Sequence, residues 1–257
     1  MLLQTNNSTL SSSKSLISPG SSILSGSVSC LLSSAYFPPL DYFVAMVNTK
    51  QTYIEAQERY QKQSYRTRTH IYSSEGVYPL SVPVMRGGSS RDHRVPIKEI
   101  KIDYSENWIQ QHQRAMIAAY MNSPYFEYYA DDFFSILNKK ETFLFDLNNS
   151  LLSLLIELIT VNVKVEYTES YEQPSLLFPD GVSGYFHPSY SASPIVDLRS
   201  KIHPKYSGES LLSEMGMEKP YFQVFSRKQG FISNLSILDL LCNEGPNSIS
   251  FLRKVKI

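Results

Sequence analysis

The feature that most constrains the fold is a strand, a helix and a second strand packed between Val28 and Glu55. Val28 to Tyr36 (VSCLLSSAY) is a short β-like run, and Pro38-Pro39 ends it. Tyr42, Phe43, Met46 and Val47 then recur close to helical spacing, which predicts a helix over 40–47. Gln51 to Glu55 returns to strand character. Strand, helix and strand at this spacing define a compact β-α-β opening and place the chain in the mixed α/β class.

The next segments extend that pattern. Thr69–Tyr72 and Val77–Val84 read as two strands joined through Ser73-Ser74-Glu75-Gly76, a composition that favours a hairpin. Met85 to Val95 carries Gly87-Gly88 and four charged residues and reads as a loop. Ile97 to Ile102 (IKEIKI) alternates apolar and charged residues, which predicts a half-exposed strand.

The middle of the chain is helical by pattern. Ser105 can cap a helix reaching about Met121, with Trp108, His112, Ala115, Met116, Ala119 and Tyr120 on its apolar stripe. Ser123-Pro124 signals a second start. A third helix, from about Thr142 to Ile159, is apolar on most faces and is expected to be the most buried. Val161 to Tyr167 reads as β. Residues 168–210 are the least regular part, and Gly184-Tyr185-Phe186-His187-Pro188 is too aromatic for a plain linker. Ser236 with Asp239 predicts a capping box, Leu235 a staple onto Leu240, and Gly245-Pro246 the stop. Ile249 to Val255 is a last amphipathic stretch. The expected architecture is a small mixed sheet in the N-terminal half with helices clustered in the middle and C-terminal parts.

The first 28 residues are rich in serine, with Lys14 as their one cation, and serine interrupts every apolar run. They lack the charge-then-apolar order of a secretory signal and are read as a disordered leader ahead of a domain spanning 29–257. The apolar runs are too short and interrupted to span a bilayer. Two cysteines, Cys30 and Cys242, make neither a disulfide framework nor a thiolate cluster, and a reducing, cytoplasmic setting is the simple reading. Lys and Arg total 24, matched by 24 Asp and Glu, which argues against a nucleic-acid binder. No histidine pair shows zinc-ligand spacing, and Gly87-Gly88 lacks a phosphate-loop pattern. No metal or cofactor is expected.

One polar segment stands apart. Tyr60 to Arg68 (YQKQSYRTR) packs Lys62, Arg66, Arg68 and two tyrosines into nine residues. Guanidinium forks and phenol hydroxyls at this spacing suit phosphate or carboxylate. If extended, Arg66 and Arg68 share a face and an anion can lie between them; the competing reading is a charged edge strand. Glu55 is either a general base at a strand end or the ion-pair partner of Arg66 or Arg68, with the structural role ahead. His112 is a candidate acid/base, although a histidine on an apolar stripe is more often a satisfied core residue.

The ordered set Tyr36-Phe37-Pro38-Pro39-Leu40-Asp41-Tyr42-Phe43, Tyr60–Arg68, Leu80-Ser81-Val82-Pro83-Val84, Trp108 with His112, Ser123–Tyr129 (SPYFEYY) and Asn234–Asp239 (NLSILD) resembles the WbqC-like family of bacterial proteins. The resemblance covers about residues 29–255. It implies a link to O-antigen and other surface-polysaccharide gene clusters, and a group transferase moving a glycyl or similar acyl group onto an amino sugar or nucleotide-sugar. The alternative is a non-catalytic binding or scaffold protein of the same pathway. Carried over by position, Tyr36, Glu55, Tyr60, Lys62 and Arg68 are the residues expected to line the site. The implied partner is a small anionic molecule such as a nucleotide-sugar or acyl donor, and the oligomeric state is left open. One departure stands out: many family members carry His-Gln-Pro on the first strand, where this chain has Leu32-Ser33-Ser34, and Pro39 replaces an expected tryptophan.

Overall fold

The computed structural model describes residues 24, 27–85, 95–173, 176–177, 183–185 and 194–253. The opening folds as its pattern dictates: β1 (Ser29–Ser33), α1 (Leu40–Val47) and β2 (Thr52–Glu55). β1 and β2 are parallel, with Cys30 opposite Thr52 and Ser33 opposite Glu55. Next come a hairpin, β3 (Arg68–Ser73) with β4 (Gly76–Ser81), and the helices α2 (Trp108–Tyr120), α3 (Phe126–Asn138) and α4 (Leu144–Ile159). Short strands β5 (Val165–Tyr167), β6 (Leu176–Leu177), β7 (Ser183–Tyr185) and β8 (Ile195–Asp197) follow. The chain closes with α5 (Leu211–Glu214), α6 (Ser226–Gln229), α7 (Ile237–Glu244) and α8 (Ser248–Leu252).

The main sheet has the order β5-β2-β1-β8-β7-β6. The first four strands run parallel, and β7 and β6 add antiparallel pairs. β1, β2 and β8 are buried almost throughout, which is why they read as near-continuous apolar runs instead of alternating ones. Their side chains still alternate between faces. Cys30, Leu32, Ile54 and Val196 join the main core, while Leu31, Tyr53 and Ile195 form a small cluster of their own.

α1 is buried at seven of its eight positions and α7 likewise, so these two, and not α4, are the most enclosed helices. α4 keeps a polar face because Asn149, Ser150, Ser153 and Glu157 interrupt its apolar stripe. The hairpin turns tightly at Ser74-Glu75. Gly76 there has φ +99°, a backbone conformation that side chains disfavour.

Several local expectations change. Residues 97–102 are not a strand: Ile97–Glu99 form a 3₁₀ turn behind Pro96, and Ile102 makes a single bridge to Val84. Ile97, Ile100 and Ile102 are all buried, and the spacing of three from Ile97 to Ile100 suits such a turn. α2 starts at Trp108, because Ser105 is tied into a turn by its amide donating to Asp103 Oδ1 at 2.9 Å. Ser123 does not cap α3; its hydroxyl donates back to the Tyr120 carbonyl at 2.6 Å. Ser236 does cap α7 by accepting from the Leu238 amide, but Asp239 turns away from the box into the core. Gly245 ends that helix with φ +54°. Most of the 1–28 leader, nearly all of the 85–95 loop and the Phe186-His187-Pro188 stretch lie outside the described residues. Leu24 and Val28 are buried in the core.

Candidate functional site

β1, β2 and β8 end side by side, and a cavity of about 1100 Å³ opens beyond their carboxyl ends. Open α/β sheets bind ligands at this edge because loops there are free to vary while the strands hold them in place. The loop after β2 supplies Glu58, Arg59, Tyr60 and Arg66 to the wall, and the turn after β8 supplies Arg199, His203 and Lys205.

Two buried ion clusters form the floor. In the first, Arg66 grips Glu58 with two prongs: Nε donates to Oε1 at 2.9 Å and Nη2 donates to Oε2. Glu58 also accepts from the Ser33 hydroxyl at 2.9 Å and the Ser34 amide at 3.2 Å. Burial pushes the Glu58 carboxyl up, and the Arg66 charge opposes that. Arg66 also donates to Ser33 Oγ at 2.8 Å and Gln61 Oε1 at 3.3 Å. Asn148 of α4 holds this loop in place by donating to the Arg66 carbonyl and to Ser34 Oγ, both at 2.9 Å.

The second cluster centres on Arg199. It donates to Asp197 through Nε at 3.0 Å and Nη2 at 2.7 Å, to Glu55 Oε2 at 3.0 Å, and to the Glu172 carbonyl at 2.6 Å. Burial works against the charge of Arg199, and the Asp197 and Glu55 carboxylates more than restore it, so its pKa stands above the ordinary value. The Tyr171 ring lies 4.9 Å from the guanidinium carbon, within cation–π range. Glu55, with no exposed surface, takes further bonds from Thr168 Oγ1 and the Gln57 and Glu172 amides. One carboxylate thereby ties β2, β8 and the 168–172 segment together.

Arg59 and Lys205 are exposed at the rim, and neither forms an ion pair among the described residues. His203 also lines the cavity. Its Nδ1 accepts from the Lys205 amide at 3.1 Å, and burial, then the charges of Arg66 and Lys205, lower its pKa. The wall is therefore suited to binding polar, charged groups. Among the described residues no cluster of His, Cys, Asp and Glu is placed to hold a metal ion.

Of the residues singled out in the sequence, Tyr60 and Arg66 line this cavity. Glu55 lies directly behind Arg199. Lys62 is exposed outside the wall, and Arg68 makes its bond to Ser81 Oγ at 3.3 Å on the hairpin. The expected Arg66–Arg68 anion clamp is not assembled: Arg66 turns in to Glu58 because a buried carboxylate needs a cation more than a solvated ligand does. Tyr36 and His112 meet in the core, the phenol oxygen 2.9 Å from Nδ1. Burial lowers the His112 pKa to about 4, with only a backbone bond to Ser81 opposing.

Glu58, Arg59, Asp197, Arg199, His203 and Lys205 were not expected. Glu58 was legible in principle, three residues beyond Glu55 and eight before Arg66. Asp197 and Arg199, spaced by two after an apolar strand, carry a weaker signal of the same kind.

Parallel strands closed by a helical layer, with a charged crevice at their carboxyl edge, define a mixed α/β protein. The chain belongs to the WbqC-like protein family, whose model matches residues 33–177. That span holds the Glu58–Arg66 half of the crevice and stops short of Asp197 and Arg199. An uncharacterised protein of Mycobacterium tuberculosis (strain ATCC 25618 / H37Rv), Rv1507c, is 26% identical over 231 residues, covering 87% of this chain and 96% of its own. No solved structure matches the chain. No helix among the described residues is long and apolar enough to cross a membrane.

Proposed function

We propose that the protein binds a small phosphate-bearing ligand, such as a nucleotide-sugar, in this crevice and acts as a group transferase on an amino sugar in surface-polysaccharide assembly. The carrying observation is the cavity itself: about 1100 Å³ at the strand carboxyl ends, with Arg59 and Lys205, two cations without an ion pair among the described residues, at its rim. That volume accommodates a nucleotide-sugar, and rim cations recognise phosphate by charge. In an acyl transfer the amine nitrogen forms the new amide bond, the acyl donor's leaving-group bond breaks, and the amine proton passes to a base. Membership of the WbqC-like family supports the pathway. Free, buried Cys30 and Cys242 agree with a cytoplasmic setting.

A second reading, non-catalytic binding in the same pathway, is favoured by one observation. The two candidate bases are engaged off the wall, Glu55 with Arg199 and His112 with Tyr36, and β1 carries Leu32-Ser33-Ser34 where many relatives have a histidine. Calorimetric titration with a panel of nucleotide-sugars, followed by mass spectrometry of mixtures with acyl donors, tests both. Binding with acyl-sugar product supports the transferase. Binding without product across the panel supports the second reading, and the absence of any binding removes both.

A further inference from the structure

The crevice is electrically two-sided. At its floor three carboxylates (Glu58, Asp197 and, directly behind, Glu55) face two guanidinium groups, Arg66 and Arg199, which leaves one negative charge in excess among the described residues. At its rim Arg59 and Lys205 form no ion pair with a carboxylate among the described residues.

Donor arithmetic sharpens the contrast. A guanidinium carries five N–H groups. Arg66 makes four bonds to Glu58, Ser33 and Gln61. Arg199 makes four to Asp197, Glu55 and the Glu172 carbonyl. Each floor arginine therefore has about one N–H left for a ligand. A phosphate needs several donors and a local positive charge, and the floor supplies neither.

A carboxylate excess beside low-dielectric walls attracts a cation instead. Asp197 is the floor acid that lines the cavity and carries spare acceptor capacity, since its Oδ2 takes one bond where Oδ1 takes two. The Tyr171 face is already covered by the Arg199 guanidinium, so the attraction rests on Asp197.

We infer that the crevice selects a dipolar ligand, phosphate at the Arg59–Lys205 rim and a protonated amine at the Asp197 floor. The inference rests on the nucleotide-sugar reading and assigns that ligand its orientation and its charge at the sugar end. Asp197 is then the specificity residue for the free amine, and an N-acylated sugar is the form the floor rejects. For a transferase this polarity favours the substrate amine over its acylated product.

Three ligands with one diphosphate test it: UDP-glucosamine, UDP-glucose and UDP-N-acetylglucosamine, titrated at about pH 6.5, below the usual pKa of a primary amine. The expected result is UDP-glucosamine binding at least about tenfold more tightly than either other, one tenfold step being a modest return for a buried charge contact. In Asp197→Asn that ratio should fall close to one. Equal or weaker binding of UDP-glucosamine by the wild type overturns the inference while leaving the nucleotide-sugar reading in place, as does a ratio retained in a folded Asp197→Asn. If Asp197→Asn does not fold, the wild-type ratio decides. If none of the three binds, the nucleotide-sugar reading itself falls, and the inference with it.

Discussion

Arg66 and Glu58 form a two-pronged ion pair in which neither side chain is more than 7% exposed. The pair joins the loop after β2 to the end of β1 through Ser33 and Ser34. Arg66→Ala leaves a carboxylate buried without its cation, and breaking such a pair costs about 3–5 kcal/mol. Urea unfolding should show a loss of that size, with Arg66→Lys recovering only part because an ammonium cannot supply two parallel bonds. A loss under about 1 kcal/mol, the range of a solvated pair, would show that the pair is open to water.

The rim cations separate binding from folding. Arg59 and Lys205 are exposed and touch no carboxylate among the described residues, so the double alanine variant should melt close to the wild type. Its affinity for a nucleotide-sugar should drop on the order of 10- to 100-fold, the cost of losing two charge-assisted phosphate contacts. Lys62→Ala with Arg68→Ala serves as the comparison, since both residues stand off the wall. Equal losses in the two pairs, measured by calorimetry, would mean that general charge and not the rim attracts the ligand.

What the sequence disclosed and concealed follows from range. The β1-α1-β2 unit and the hairpin were legible because their periodicities and turn residues act within a few positions. Ile97–Ile102 misled because its apolar and charged residues fit a strand and a 3₁₀ turn alike: all three isoleucines are buried, and the turn starts behind Pro96. The site was harder. Arg66 drew notice as part of a cation run, yet its partner Glu58 lay just outside that run. Arg199 reaches Glu55 across 144 positions, a relation set by β8 pairing with β1 and not by any local pattern.

Tyr36 and His112 illustrate a core clasp that imitates a catalytic pair. The His112 ring lies 5.0 Å from that of Trp108, and its pKa is lowered to about 4. A histidine lowered in the fold contributes stability above its unfolded value, near 6.5, and loses it as pH falls through about 4. NMR titration should therefore show no His112 transition between about pH 5 and 8, the range in which a free imidazole titrates. Tyr36→Phe strands the buried Nδ1 and should cost about 1–3 kcal/mol without changing ligand affinity. A His112 transition near neutral pH would return that residue to the list of bases.

Asp239 sets a pH dependence of opposite sign. It is buried in α7, where its Oδ2 accepts from Tyr221 and Gln223, both at 2.7 Å. No cation pairs with it among the described residues, and burial pushes its pKa up to about 6, against the hydrogen bonds of Tyr221, Gln223 and Tyr120. The folded protein thus holds this proton more tightly than the unfolded chain, whose carboxyl titrates near 3.8. Its contribution is fully present below about pH 4 and is lost as pH rises through about 6. Asp239→Asn keeps one oxygen for the same two donors and removes the charge. The stability of that variant relative to wild type should climb by about 1–3 kcal/mol between pH 4 and 7, since each pKa unit is worth about 1.4 kcal/mol. Urea midpoints of both proteins across that range provide the measurement. A difference that stays flat with pH would mean the carboxylate is charged in the fold at no cost, which a site this buried should not allow.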